Sequence, residues 1–141
     1  MIQKHLMTIL RQGRRYRRIM LETVPTAYPV CLMEIADHPG LSQDQLAQLM
    51  AFDKSNAARR VAALEEEGLI MRTPSSRDKR VMELRLTEKG KALLPPIREA
   101  LAQWDTYLTQ YLTQEERVLL DSLLSRMDKR SVEWRKEDQH V

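Results

Sequence analysis

The sequence predicts a mainly α protein with a small β component (α+β), and three observations lead there. Glycine (4) and proline (6) are scarce and aromatics are only 5% of the residues, which leaves an all-β sandwich short of turn residues and aromatic strands. Along the first twenty residues apolar or small side chains recur at spacings of three and four. Two capping boxes, Ser42–Gln45 and Thr113–Glu116, mark helix starts, whereas a period of two is confined to Arg80–Leu86. With 141 residues, 43% hydrophobic and 30% charged, the chain is expected to be one ordinary folded domain, or a small domain carrying extra helices.

Each element follows in order. Ile2, Leu6, Ile9, Gly13, Tyr16 and Met20 line one face of a helix of about 20 residues. Pro25 and Pro29 punctuate a loop and start a short second helix, with Val30, Met33, Ile35 and Ala36 as its expected apolar positions; His38-Pro39-Gly40 ends it. Ser42 then caps a helix from Gln43 to about Met50, with Leu41 and Leu46 closing a hydrophobic staple. After Ala51-Phe52, Asp53 caps a fourth helix, Lys54 to Glu67, with an Ala57, Val61 and Leu64 stripe and Gly68 as its terminator. Two short helices joined by so tight a turn read as a helix-turn-helix. Leu69–Thr73 and Arg80–Leu86 form a hairpin around Pro74–Lys79; its core-facing side is ambiguous, since Met82, Leu84 and Leu86 favour one parity and Val81 the other. Thr87 caps a long helix with a kink or break expected at Pro95-Pro96, and Thr113 opens a last helix to about Trp134.

Several function classes find no support. No run of 18 apolar residues exists, so no membrane helix is expected. In MIQKHLMTILRQGRRYRR the charges follow the apolar residues, the reverse of a signal peptide, and a cytoplasmic protein is expected. Cys31 is the single cysteine, and His5, His38 and His140 are scattered without carboxylates at ligand spacing, so no metal site and no cofactor is expected. No nucleophile-base arrangement, Gly-rich phosphate loop or carboxylate pair suggests an enzyme.

Charge distribution is more informative than the net +3. Residues 1–20 carry six bases and no acid, and residues 21–52 carry four acids and no base. Within 53–91 the bases concentrate on the fourth helix and the hairpin tip. With Ala57, Val61 and Leu64 buried, the fourth helix presents Lys54, Ser55, Asn56, Arg59 and Arg60 on its other faces. Side chains of these types hydrogen-bond base edges in the major groove, and a helix N-terminus favours phosphate. Arg77, Lys79 and Arg80 at the hairpin tip are placed for phosphate or a narrow minor groove. Ser42 completes the candidate DNA contacts.

Over Leu41–Gly90 the chain resembles the MarR-type winged helix-turn-helix transcriptional regulators. The matching residues are Leu41-Ser42, Leu46-Ala47, Asp53-Lys54-Ser55, Arg59, Leu64-Glu65-Glu66-Glu67-Gly68-Leu69-Ile70, Arg77-Asp78-Lys79-Arg80 and Leu86-Thr87-Glu88-Lys89-Gly90. The resemblance implies a homodimer on double-stranded DNA, with a dimerisation helix at 1–27, the winged helix-turn-helix at 28–91 and dimerisation helices at 92–141. It implies that the fourth helix enters the major groove, that Arg80 reaches the minor groove and that Asp78 braces the wing. It also implies a repressor released by a small aromatic or lipophilic ligand, for which Tyr16, Met20, Tyr28 and Met33 are the candidate pocket residues. Departures at Asn56 and Ala58, where small hydroxyl residues are frequent, and at Arg60, where an apolar residue is usual, prevent transfer of an operator sequence. Two alternatives stand beside this reading: a redox-sensing regulator acting through Cys31, and a winged protein-interaction module without DNA binding.

Overall fold

The computed structural model describes residues Met1–Trp134; His140 and the end of the 92–141 segment lie outside them. Seven helices and two strands are present among the described residues: α1 (Ile2–Met20), α2 (Pro29–Asp37), α3 (Gln43–Met50), α4 (Lys54–Glu66), β1 (Ile70–Pro74), β2 (Met82–Leu86), α5 (Glu88–Ala92), α6 (Leu94–Leu108) and α7 (Gln114–Ser131). The chain divides into two compact units, the first Met1–Trp104 and the second starting at Asp105, a division that falls inside α6.

In the first unit, one core gathers Leu32 and Ile35 of α2, Leu46 of α3, Val61 and Leu64 of α4, Leu69, Leu84 and Ile97, all nearly or fully buried. α2 buries Cys31, Leu32 and Ile35, whereas Val30, Met33 and Ala36 are only partly buried. The expected face of this helix was therefore about one residue out of phase. Nearly every residue of the segment is apolar, so periodicity cannot choose its inner side.

The capping box at Ser42 is complete. Its Oγ accepts from the Gln45 N–H at 3.2 Å, and its own N–H donates to Gln45 Oε1 at 2.9 Å. Leu41 and Leu46 are both buried beside it, as a staple requires. The turn to α4 passes through Ala51 at φ 54°, a left-handed conformation that ordinarily favours glycine. Beyond α4, Gly68 (φ 74°) reverses the chain into β1.

β1 and β2 pair antiparallel from Ile70↔Leu86 to Pro74↔Met82. Leu84 is buried and Leu86 partly so, which puts their parity on the core side, whereas Met82 at the strand start is exposed, as is Val81 before it. The hairpin is stitched to the start of α3 by the Leu84 N–H donating to the Leu41 carbonyl at 2.7 Å and by a Ser42↔Glu83 bridge. Where β2 ends, Thr87 donates its hydroxyl to the Gly68 carbonyl at 2.6 Å, and a Cβ on Gly90 would overlap the Leu69 carbonyl oxygen. Glycine is thus required there by backbone-to-backbone contact.

The expected long helix after Thr87 is broken at Leu93, ahead of the prolines. Pro95 and Pro96 occupy the first turn of α6, where their missing N–H groups have no helical partner to lose. In α1, Tyr16 stacks on Trp104 (centroids 4.7 Å apart) and donates its hydroxyl to the Ala100 carbonyl at 3.0 Å. In the second unit, Thr113 and Glu116 form the expected capping box of α7. None of the residues of α7 is buried: Val118, Leu119, Leu120, Leu123, Leu124 and Met127 are all exposed.

Candidate nucleic-acid interface

The buried stripe Ala57-Val61-Leu64 fixes how α4 is rotated. Lys54, Ser55 and Arg59 are then exposed, and Asn56 and Arg60 are half-buried at the margin of the stripe. Asp53 organises the helix start. Its Oδ1 accepts from the Asn56 N–H at 2.7 Å and from the Ser55 hydroxyl at 2.9 Å, and these two bonds hold its carboxyl below the usual aspartate range. The Ser55 proton is thereby engaged within the helix, leaving its oxygen as the group able to accept a further bond.

At the hairpin tip, Arg80 and Asp78 form a two-point pair, Nε to Oδ1 at 3.1 Å and one terminal nitrogen to Oδ2 at 3.2 Å. The Arg80 N–H donates to Asp78 Oδ1 as well, at 3.0 Å. The guanidinium, followed by this backbone N–H, holds the Asp78 carboxyl below its ordinary range. Arg80 remains 91% exposed, so the pair aims the guanidinium without hiding it. Ser75 is buried at the base of the turn and accepts from the Arg77 N–H at 3.2 Å; Arg77 and Lys79 are exposed.

The acids at the end of α4 tie elements together: Glu65 accepts from Arg72 of β1 at 2.8 Å, and Glu67 Oε1 from the Ala27 N–H at 3.3 Å. Arg60, expected beside Arg59, instead lies between two rings, 4.7 Å from the Tyr28 centroid and 4.3 Å from that of Phe52, and donates from Nε to Asn56 Oδ1 at 2.9 Å. Phe52, the single phenylalanine of the chain, was not singled out in the sequence. Its place in the short turn between α3 and α4 was the available signal. Ser42 spends both its hydroxyl and its N–H on the capping box.

A cleft of about 420 Å³ lies between the end of α1 and the start of α2, lined by Arg14, Arg17, Arg18, Tyr28, Cys31 and Arg60 among others. Of the four candidate pocket residues, Tyr28 lines this cleft. Tyr16 is taken by Trp104, Met20 is exposed and Met33 packs against the core. Burial and the neighbouring Arg14 push the Arg17 pKa down, which means that its charge lacks full compensation there. Cys31 is 1% exposed, and burial pushes its thiol up, against the pull of Arg60. Such a thiol carries little of the thiolate that oxidation requires. Among the described residues no three His, Cys, Asp or Glu side chains are grouped to hold a metal, and no helix is long and apolar enough to cross a membrane.

A family model described as MarR family matches residues 29–82, the segment that builds α2 to the hairpin. The chain is 33% identical over 98 residues to an uncharacterized HTH-type transcriptional regulator, YybA, of Bacillus subtilis, covering 70% of this chain and 65% of that protein. It is 40% identical over 96 residues to a putative transcriptional regulatory protein for the hcr operon of Thauera aromatica, covering 68% of this chain and 58% of that one. The aligned stretch thus spans less than two thirds of either relative. The crystal structure of MarR superposes with a TM-score of 0.84 at 30% identity, covering 97% of this chain and 95% of the other. The buried-stripe α4, the braced hairpin tip and these likenesses agree: the chain belongs to the MarR family.

Proposed function

We propose that this protein is a homodimeric, sequence-specific DNA-binding transcriptional regulator, a repressor released by a small molecule and acting in the cytoplasm. The observation that carries the reading is the joint construction of α4 and the hairpin. Lys54, Ser55 and Arg59 on one and Arg80 on the other are exposed, and both elements are seated on the same buried Leu64-Leu69-Leu84 core. An α-helix fits the major groove, and an exposed arginine on an adjacent finger suits the minor groove. Family membership supports a regulator over an enzyme.

The apolar faces of α1 and α7 support a dimer. Ile2, Ile9 and Met20 share one face of α1, and Leu120, Leu124 and Met127 share one face of α7; all six are exposed within one chain, and an exposed apolar stripe of this kind on a helix marks an interface. Residues 1–27 and 92–141 then serve association, and residues 28–91 serve DNA. A two-fold dimer reads a pseudo-palindrome with half-site centres about 34–36 Å apart. The cleft with its arginines and Tyr28 suits a small acid with a flat apolar body, the guanidinium groups meeting the carboxylate.

Gel-shift titration of the dimer on duplex DNA at several salt concentrations tests the reading. Affinity should fall linearly in log–log form with a slope near the number of phosphates neutralised. Absent or salt-insensitive binding would leave a protein-interaction module as the better account.

A further inference from the structure

We propose that Arg60 is a specificity-determining residue of the DNA interface: by holding the side-chain oxygen of Asn56 it turns Asn56 into a hydrogen-bond donor, so that α4 selects guanine or thymine over adenine at the base Asn56 meets. The proposal rests on the DNA-binding reading above.

The chemistry of the pair leaves one assignment of the carboxamide. A guanidinium has five N–H donors and no acceptor, so the Asn56 atom 2.9 Å from Arg60 Nε is the oxygen. The bond is charge-assisted, and Arg60 is held from both sides by the Tyr28 and Phe52 rings at 4.7 and 4.3 Å. The Asn56 main chain is fixed too, because its backbone N–H is bound to Asp53 Oδ1 at 2.7 Å. Arg60 is therefore not free to swing away cheaply, and its bond turns the Asn56 oxygen towards it.

An unconstrained asparagine reads adenine with both ends of its amide, accepting from N6–H and donating to N7. Arg60 fills one lone pair of the Asn56 oxygen and sets a guanidinium, itself a cluster of donors, beside the other, so an approaching amino group is disfavoured there and Asn56 meets a base with its two N–H donors. Guanine offers them two acceptors, O6 and N7, and thymine offers O4. Adenine offers N7, but its amino group would lose water without gaining an acceptor, which costs free energy. Cytosine presents a donor to a donor.

The test is selection from a pool of duplexes randomised over about two helical turns, with the wild-type protein, Asn56→Ala, Arg60→Met and Arg60→Lys. Asn56→Ala should flatten one position in each half-site, and in the wild type that position should hold guanine or thymine. Arg60→Met frees the oxygen and should move that position towards adenine by roughly five- to tenfold. Arg60→Lys retains a donor and should keep the wild-type preference. Adenine at the Asn56 position in the wild type overturns the proposal, and this result stands even where Arg60→Met fails to fold. A folded Arg60→Met with an unchanged profile overturns it too. A wild-type protein that enriches no sequence overturns the DNA-binding reading itself, a result distinct from either.

Discussion

The segment from α2 to β2 and the two helices α1 and α7 solve the same problem differently. In the first, the chain buries its own apolar residues: Leu32, Leu46, Val61, Leu64, Leu69 and Leu84 are all 0–1% exposed. In α1 only Gly13 is buried, and in α7 no residue is, although both helices carry many large apolar side chains. The winged region is thus a core closed within the chain, whereas α1 and α7 leave apolar surface uncovered. On the function proposed above, DNA chemistry falls to the former and association with a second subunit to the latter.

The sharpest way to break this contrast is a charge on α7. Leu123→Asp should raise the dimer dissociation constant about a hundredfold or more, equivalent to about 3 kcal/mol, as measured by sedimentation. The winged region should keep its NMR spectrum. Loss of that spectrum at the same protein concentration would mean that the two regions are not independent. Within the winged region the converse holds. Gly90→Ala forces a Cβ against the Leu69 carbonyl and should cost about 3 kcal/mol or more, read as a lower unfolding midpoint. A dimer of unchanged stability in that variant would unseat the tight packing of Gly90.

The same contrast explains what was legible in the sequence. Helix starts were, because a cap is a local device: Ser42, Asp53, Thr87 and Thr113 all accept the expected N–H bonds. The inner face of α4 was also legible, because Val61 and Leu64 are its two large apolar residues and Ala57 stands one turn before Val61 on the same side. The inner face of α2 was not, since Val30, Cys31, Leu32, Met33 and Ile35 leave no polar side to read against. Arg60 was misplaced for a different reason. Its partners Tyr28 and Phe52 come from other elements, and a cation held between rings has no signature in spacing. The cleft likewise joins α1 to α2 across a loop, so no local spacing in the sequence points to the arginines that line it.

Smaller effects separate the two arms of the proposed DNA interface. Arg59→Ala should cost roughly 1–3 kcal/mol and relax preference at particular bases. Arg80→Ala should weaken binding to all sequences and lower the salt slope by about one unit. Competition gel shifts against base-substituted and unrelated duplexes measure both. Identical profiles for the two variants would mean that α4 and the hairpin do not divide base reading from phosphate or shape contact.

The smallest effect concerns the wing tip and acid. Arg80 holds the Asp78 carboxyl below its usual range in the folded chain, through the side-chain pair first and the Arg80 N–H second. A pKa depressed by folding means that the bracing is complete above the unfolded value of about 3.9 and is lost as the pH falls through the lower folded value. The tip should therefore stay unchanged from neutrality to about pH 5 and loosen only in stronger acid. Because the group is exposed, screening keeps the effect on overall stability small; the response is local. The amide resonance of Arg80, whose N–H donates to Asp78, is the reporter. Its midpoint should lie below that of an ordinary aspartate and vanish in Asp78→Asn. A midpoint at or above the ordinary value would mean that the pair in solution is looser than the 3.1 and 3.2 Å contacts require, and that Arg80 meets DNA as a free side chain.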